Sequence, residues 1–178
     1  MAIRFVLDPP LTAQLRERIV TLWHHVTNAG GAVGFVAPVT RDDIMPTAVA
    51  ALADVTDGHD RLLAGFDNGD GDGDGELVAM LFLTSRRFAL QDHWRTIKRV
   101  MVHPARQGRG HGAALIREAE RVARDLGLAA LHITVRGGLG LEGFYESCGY
   151  KEVGRLPGAL RLGPGDDRDD VHMWLALT

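Results

Sequence analysis

Cysteine is almost absent from this chain: Cys148 is the single one in 178 residues. An intrachain disulfide is therefore impossible, and a reducing compartment, the cytoplasm, is the expectation. No apolar run approaches the roughly 20 residues that a spanning helix needs. Met1 to Leu7 is too short and too interrupted to serve as the apolar region of a signal peptide. A membrane is accordingly not an expected partner. Positive charge is not in excess either, because 20 Lys and Arg against 23 Asp and Glu leave a net charge of −3. That balance argues against a general nucleic-acid-binding surface, which needs a basic face. With 46% hydrophobic and 24% charged residues, the composition is that of an ordinary globular protein. Neither a repeat nor a linker divides it, so residues 1–178 read as one domain.

The periodicities give an element order. Ile3 to Leu7 alternates as a strand, and Thr12 stands where it can cap a helix carrying Leu15, Ile19, Leu22, Trp23 and Val26 on one face. Asn28 to Gly31 ends that helix, and an apolar loop follows to Val39. Thr40 caps a second helix with Ile44, Ala48, Ala51, Leu52 and Val55 facing one way. Arg61 to Phe66 and Glu76 to Ser85 are strands joined by a loop alternating Asp and Gly from Asp67 to Gly75. That loop is rich in oxygen donors, yet the calcium-loop template fails, because the twelfth position from Asp70 is Leu81 rather than Glu. No metal site is expected. Trp94 to Val102 is a fourth strand, Gly110 to about Leu126 a helix, and Ala130 to Val135 a strand. Leu141 to Cys148 forms a short helix. Tyr150 to Leu156 and Val171 to Leu177 are closing strands around a Pro/Gly/Asp-rich connection. The order β-α-α-β-β-β-α-β-α-β-β implies an α/β fold, a mixed sheet with helices on its faces.

One segment carries chemistry. Val102-His103-Pro104-Ala105-Arg106-Gln107-Gly108-Arg109-Gly110-His111-Gly112 joins a strand to a helix, with three glycines in its last five residues. A helix start leaves main-chain N–H groups unpaired, and its dipole favours negative charge. Glycine lets that backbone approach a bulky anion, and Arg106 and Arg109 add positive charge nearby. The pattern suits a pyrophosphate.

Gln107-Gly108-Arg109-Gly110-His111-Gly112 resembles the acetyl-CoA motif of the GNAT superfamily of N-acetyltransferases. Phe144-Tyr145, shortly before Gly149-Tyr150, is similar to that superfamily's second motif, and the element order matches over essentially the whole chain. The resemblance implies a mostly antiparallel sheet of about seven strands flanked by about four helices. It implies acetyl-CoA as cofactor, its pantetheine arm against main-chain groups of Val100, Met101 and Val102. The pyrophosphate would lie on Gln107, Gly108, Arg109, Gly110, His111 and Gly112, with Arg106 or Arg109 available to the 3′-phosphate.

The implied reaction is attack of a neutral amine on a thioester, and it sets two proton problems. The departing sulfur needs a proton, and a phenol with an ordinary pKa near 10 is loaded at neutral pH. Tyr145 stands where the superfamily carries this acid. Removing a proton from a lysine-like amine at pH 7 costs about 4–5 kcal/mol, but only about 1.4 kcal/mol from an α-amino group. The superfamily's frequent glutamate on the fourth strand falls here at Thr96, which cannot be a base. His132 is the candidate in its place, with Asp92 and His93 as further substitutes.

A narrower resemblance joins Gly30 to Phe35 and Gly154 to Gly158 to the tabtoxin-resistance acetyltransferases. It implies a small-molecule amine as acceptor, with Trp23, Phe35 and Thr96 near it and residues 156–161 as a further wall. Two other readings stand beside it: acetylation of a protein N-terminus or lysine, and a non-catalytic acyl-CoA-binding sensor. A monomer or a homodimer would serve either reading.

Overall fold

The computed structural model describes residues 3–67 and 75–177. The Asp/Gly loop considered above therefore lies, from residue 68 to residue 74, outside the described residues. The elements run β1 (Ile3–Leu7), α1 (Ala13–Asn28), α2 (Arg41–Thr56), β2 (Arg61–Asp67), β3 (Glu76–Thr84), β4 (Trp94–Val102), α3 (His111–Asp125), β5 (Ala130–Arg136), α4 (Leu141–Ser147), β6 (Lys151–Gly163) and β7 (Asp166–Ala176). Their order is the expected one. Among the described residues no helix is long and apolar enough to cross a membrane.

The two expected caps are present. Thr12 accepts from the Leu15 amide at the start of α1. Thr40 and Asp43 form a reciprocal capping box that closes the open amides of α2. The strands make one seven-stranded sheet in the order β1-β2-β3-β4-β5-β7-β6. All neighbours are antiparallel except β4 and β5. Because side chains alternate along a strand, the sheet has two apolar faces. One buries Leu81, Ile97 and Ile133 against α3 and α4. The other buries Leu62, Met80 and Met101 against α1 and α2.

One expectation is corrected. The Pro/Gly/Asp-rich stretch from residue 157 to residue 170, read as an irregular connection, is the body of a long β6–β7 hairpin that turns at Pro164 and Gly165. An edge strand tolerates Pro157, which lacks an amide donor, and the register is interrupted there, between Leu156 and Leu160. Cross-strand pairs then hold the ribbon: Arg161 with Asp167 at 2.7 Å and Arg155 with Asp169 at 3.1 Å.

Candidate active site

The site begins as a defect in the sheet. Strand β4 pairs with β5 only from Trp94 to Ile97, opposite Ala130 to Ile133. On its other edge, Met80 faces Met101 and Phe82 faces Lys98, so one residue of β3 stands against two of β4. This bulge places Arg99 in the left-handed region, at φ +55°. A bulge bends its strand, and beyond it β4 parts from β5 while β5 continues along β7 to Arg136. A cleft of about 900 Å³ fills the wedge.

The glycine turn forms one end of that cleft. Gly108 and Gly110 have φ of +72° and +81°, a conformation that costs other residues roughly 1–2 kcal/mol. Gly110 is the N-cap of α3, without any side-chain cap, and the helical bonding starts with the Ala114 amide on the Gly110 carbonyl at 3.0 Å. Amides ahead of Ala114 are thus left for a ligand. Gln107 donates to the Val102 carbonyl at 3.0 Å, which locks the turn. Val100, Val102, Gln107, Gly108, Gly110 and Gly112 all line the cleft. The cationic side chains are placed differently. Arg106 is held 2.8 Å from buried Asp67 and 3.8 Å from Glu76, Arg109 is exposed, and neither lines the cleft. His111 and Met101 do not line it either, Met101 being buried beneath α1 and α2.

Helix α4 brings Tyr145 to the same space. The Phe144 ring sits 3.4 Å from where a Cβ on Gly112 would be, so the smallness of Gly112 lets α4 seat on the start of α3. Tyr145 stacks edge-on against Phe144 and Tyr150. Its residue is 7% exposed, and burial raises the phenol well above its usual pKa. At neutral pH it is a fully loaded proton donor.

Thr96 and His132 lie one step short of the cleft. Thr96 Oγ1 is 3.1 Å from His132 Nδ1, and His132 Nε2 is 3.1 Å from His172 Nδ1. The two imidazoles stack, with Trp94 edge-on to His132, and His172 Nε2 lies 3.7 Å from Asp170. Burial, then His172, Arg86 and Lys98, lower the His132 pKa to about 4. Neither Thr96 nor His132 lines the cleft, although their strand neighbours Ile97, Lys98, Ile133 and Thr134 do.

The far wall is the chain between α1 and α2. Ala29 to Gly34 line the cleft. Trp23, fully buried, donates from Nε1 to the Val33 carbonyl at 3.0 Å and meets Phe35 edge-to-face at 6.1 Å. Arg136 donates to the Phe35 carbonyl at 3.2 Å, and Asn28 brackets Val39 through both its amide and its carbonyl. Trp23 and Phe35 thus shape the wall from behind. Lys98 and Arg99 line the cleft as well, and nothing in the motif-based reading pointed to them.

The matching family model is that of the acetyltransferase (GNAT) family, and it covers residues 38–150. The chain belongs to this family, which makes it an acetyl-CoA-dependent acetyltransferase by class. Solved structures share its whole fold. One is a provisionally named phosphinothricin N-acetyltransferase, 20% identical, with a TM-score of 0.76 over 98% of this chain and 99% of that one. Another is the provisionally named acetyltransferase yncA of Salmonella typhimurium, solved with its cofactor acetyl-CoA. It is 17% identical, with a TM-score of 0.72 over 100% and 95% of the two chains. A third, the ribosomal-protein-alanine N-acetyltransferase of Brucella melitensis, is 17% identical, with a TM-score of 0.72 over 99% of each.

Proposed function

We propose that this protein transfers the acetyl group of acetyl-CoA to the primary amine of a small molecule, by direct attack in a ternary complex. One observation carries the reading: open main-chain amides at the glycine turn and the buried phenol of Tyr145 face a single cleft. The residues fit the cofactor. Left-handed glycines bare the turn for a pyrophosphate, and the splay after Ile97 leaves β4 main chain unpaired along its β5 side for an extended amide-bearing arm. Bound acetyl-CoA supplies an acetyl group activated as a thioester.

The protein's part is positioning and proton management. Tyr145 keeps its proton through neutral pH and gives it to the sulfur as the C–S bond breaks and the C–N bond forms. The acceptor nitrogen sheds its own proton to solvent, from which Tyr145 is recharged. No carboxylate is required as base at the bond-forming position. Among the described residues the cleft is lined by two cations, Lys98 and Arg99, and by no Asp or Glu. Such a lining favours the neutral, nucleophilic form of an amine. His132 would carry a proton poorly at pH 7, and we assign it the positioning of Thr96 beside the cleft rather than proton storage. Direct attack is favoured over an acyl-enzyme because Cys148 does not line the cleft, and burial raises its thiol pKa. A small acceptor is favoured because the α1–α2 segment, pinned by Trp23 and Asn28, walls the side of the cleft opposite the glycine turn.

The test is thiol release from acetyl-CoA across a panel of small amines and peptides. Tyr145→Phe is expected to lower kcat by about a hundredfold while leaving the CoA dissociation constant unchanged. An unaltered kcat would remove Tyr145 from the reaction.

A further inference from the structure

We propose that Arg99 is a binding site for a carboxylate on the acceptor, so that the amine acetylated here belongs to an amino acid or a similar anionic amine. The inference rests on the acetyl-transfer reading above and names its substrate class. Three independent observations carry it.

First, no anion contacts the Arg99 guanidinium directly among the described residues. Its guanidinium lies 4.9 Å above the Trp23 ring and 5.9 Å from that of Phe82. Among the described residues its side chain has no hydrogen bond or ion pair. Asp60 is near enough to favour its charge, but one oxygen of that carboxylate is spent on the Ser85 amide at 2.8 Å. Part-buried arginines are normally matched to carboxylates through their fork of donors. Here the aromatic platform holds the plane of the fork and leaves its donors unused.

Second, the charged lining of the cleft is one-signed among the described residues. Lys98 stands beside Arg99, and no acidic side chain lines the cleft among the described residues. A polyamine or another multiply cationic acceptor would meet repulsion from both. An acceptor with its own carboxylate would neutralise Arg99 and still leave its amine in a field that favours deprotonation.

Third, the backbone is bent to put the group there. A non-glycine residue at φ +55° is a costly conformation that persists when the fold requires it. The bulge aims Arg99 at the face covered by α1, where Trp23 lies, and not toward the glycine turn. Val102 lies three residue steps along β4 from Arg99, a rise of about 10 Å. That places Arg99 toward the end of the splay away from the phosphates and near where an acetyl group would be presented.

The experiment compares matched acceptors: several amino acids, their primary amides and the corresponding decarboxylated amines, at saturating acetyl-CoA and fixed pH. The amides have the more readily deprotonated amine, so intrinsic reactivity favours them. The wild-type enzyme is expected to prefer the free acids by tenfold or more in kcat/KM. Arg99→Gln is expected to abolish that preference by raising KM for the acids, with the CoA dissociation constant unchanged and kcat/KM for the amides lowered far less than for the acids. Arg99→Lys should keep part of it. Equal use of acid and amide by the wild type, or preference for a polyamine, overturns the proposal. So does an Arg99→Gln variant that loses activity toward both classes alike or loses CoA affinity. If Arg99→Gln does not fold, the wild-type ranking and Arg99→Lys decide. Transfer to amides but not acids refutes the carboxylate site alone, whereas CoA binding without transfer to any acceptor defeats the transfer reading and this inference with it.

Discussion

Acidification from pH 7 to pH 5 will weaken the fold by about 2 kcal/mol through His132 alone. The imidazole is 9% exposed, stacked on His172 and bonded to Thr96. Burial lowers its pKa from 6.5 to about 4 in the folded state. A histidine with a depressed folded pKa is held neutral by folding, so the unfolded chain binds the proton more tightly. The stability it contributes is fully present above pH 6.5 and is lost as the pH falls toward 4. By linkage the loss relative to pH 7 is about 2 kcal/mol at pH 5 and about 3 kcal/mol at pH 4. Urea unfolding of the wild type and of His132→Asn at pH 7 and pH 5 isolates this contribution, because other titrating groups cancel in the double difference. The wild type is expected to lose about 2 kcal/mol more than the variant over that interval. Equal losses in the two proteins would show that His132 titrates normally, and the argument from burial would be wrong.

Gly110→Val combines a branched side chain with φ +81°, and the side chain would enter open space at the turn rather than a neighbour. It is expected to weaken CoA binding by tenfold or more with a stability loss of about 1–2 kcal/mol, read by calorimetric titration and thermal melting. Thr40→Ala removes the capping box of α2 and should lower stability by about 1 kcal/mol without changing KM for either substrate. Asp67→Asn breaks the partly buried pair with Arg106 and is expected to lower stability by about 1–3 kcal/mol, measured by urea unfolding.

What could be read in advance depended on how local the cause was. The caps at Thr12 and Thr40, the apolar periodicity of α1 and α3, and the glycine turn are decided within a few residues, and they stand where the sequence placed them. The β6–β7 hairpin was hidden because Pro157, Gly158 and Gly165 are turn formers in isolation, whereas pairing with Arg168 and Asp167 across the ribbon decides their state. Arg106 looked free for phosphate, since nothing near it in sequence reveals that Asp67, at the end of β2, comes within 2.8 Å. The His132–His172 stack joins strands 40 residues apart through the β5–β7 register. Arg99 did leave a trace that could have been followed. Lys98 and Arg99 are consecutive cations between apolar Ile97 and Val100, a break in the strand's pattern that a bulge accommodates.

The parallel seam between β4 and β5 is only four residue pairs long, yet it unites the half of the sheet carrying the α1–α2 wall with the half carrying α4 and Tyr145. Whatever molecule spans that opening does structural service while it waits to react. Donor occupancy and resistance to unfolding are then one thermodynamic quantity seen twice. Residues that tighten the seam will register in donor affinity without ever touching the donor.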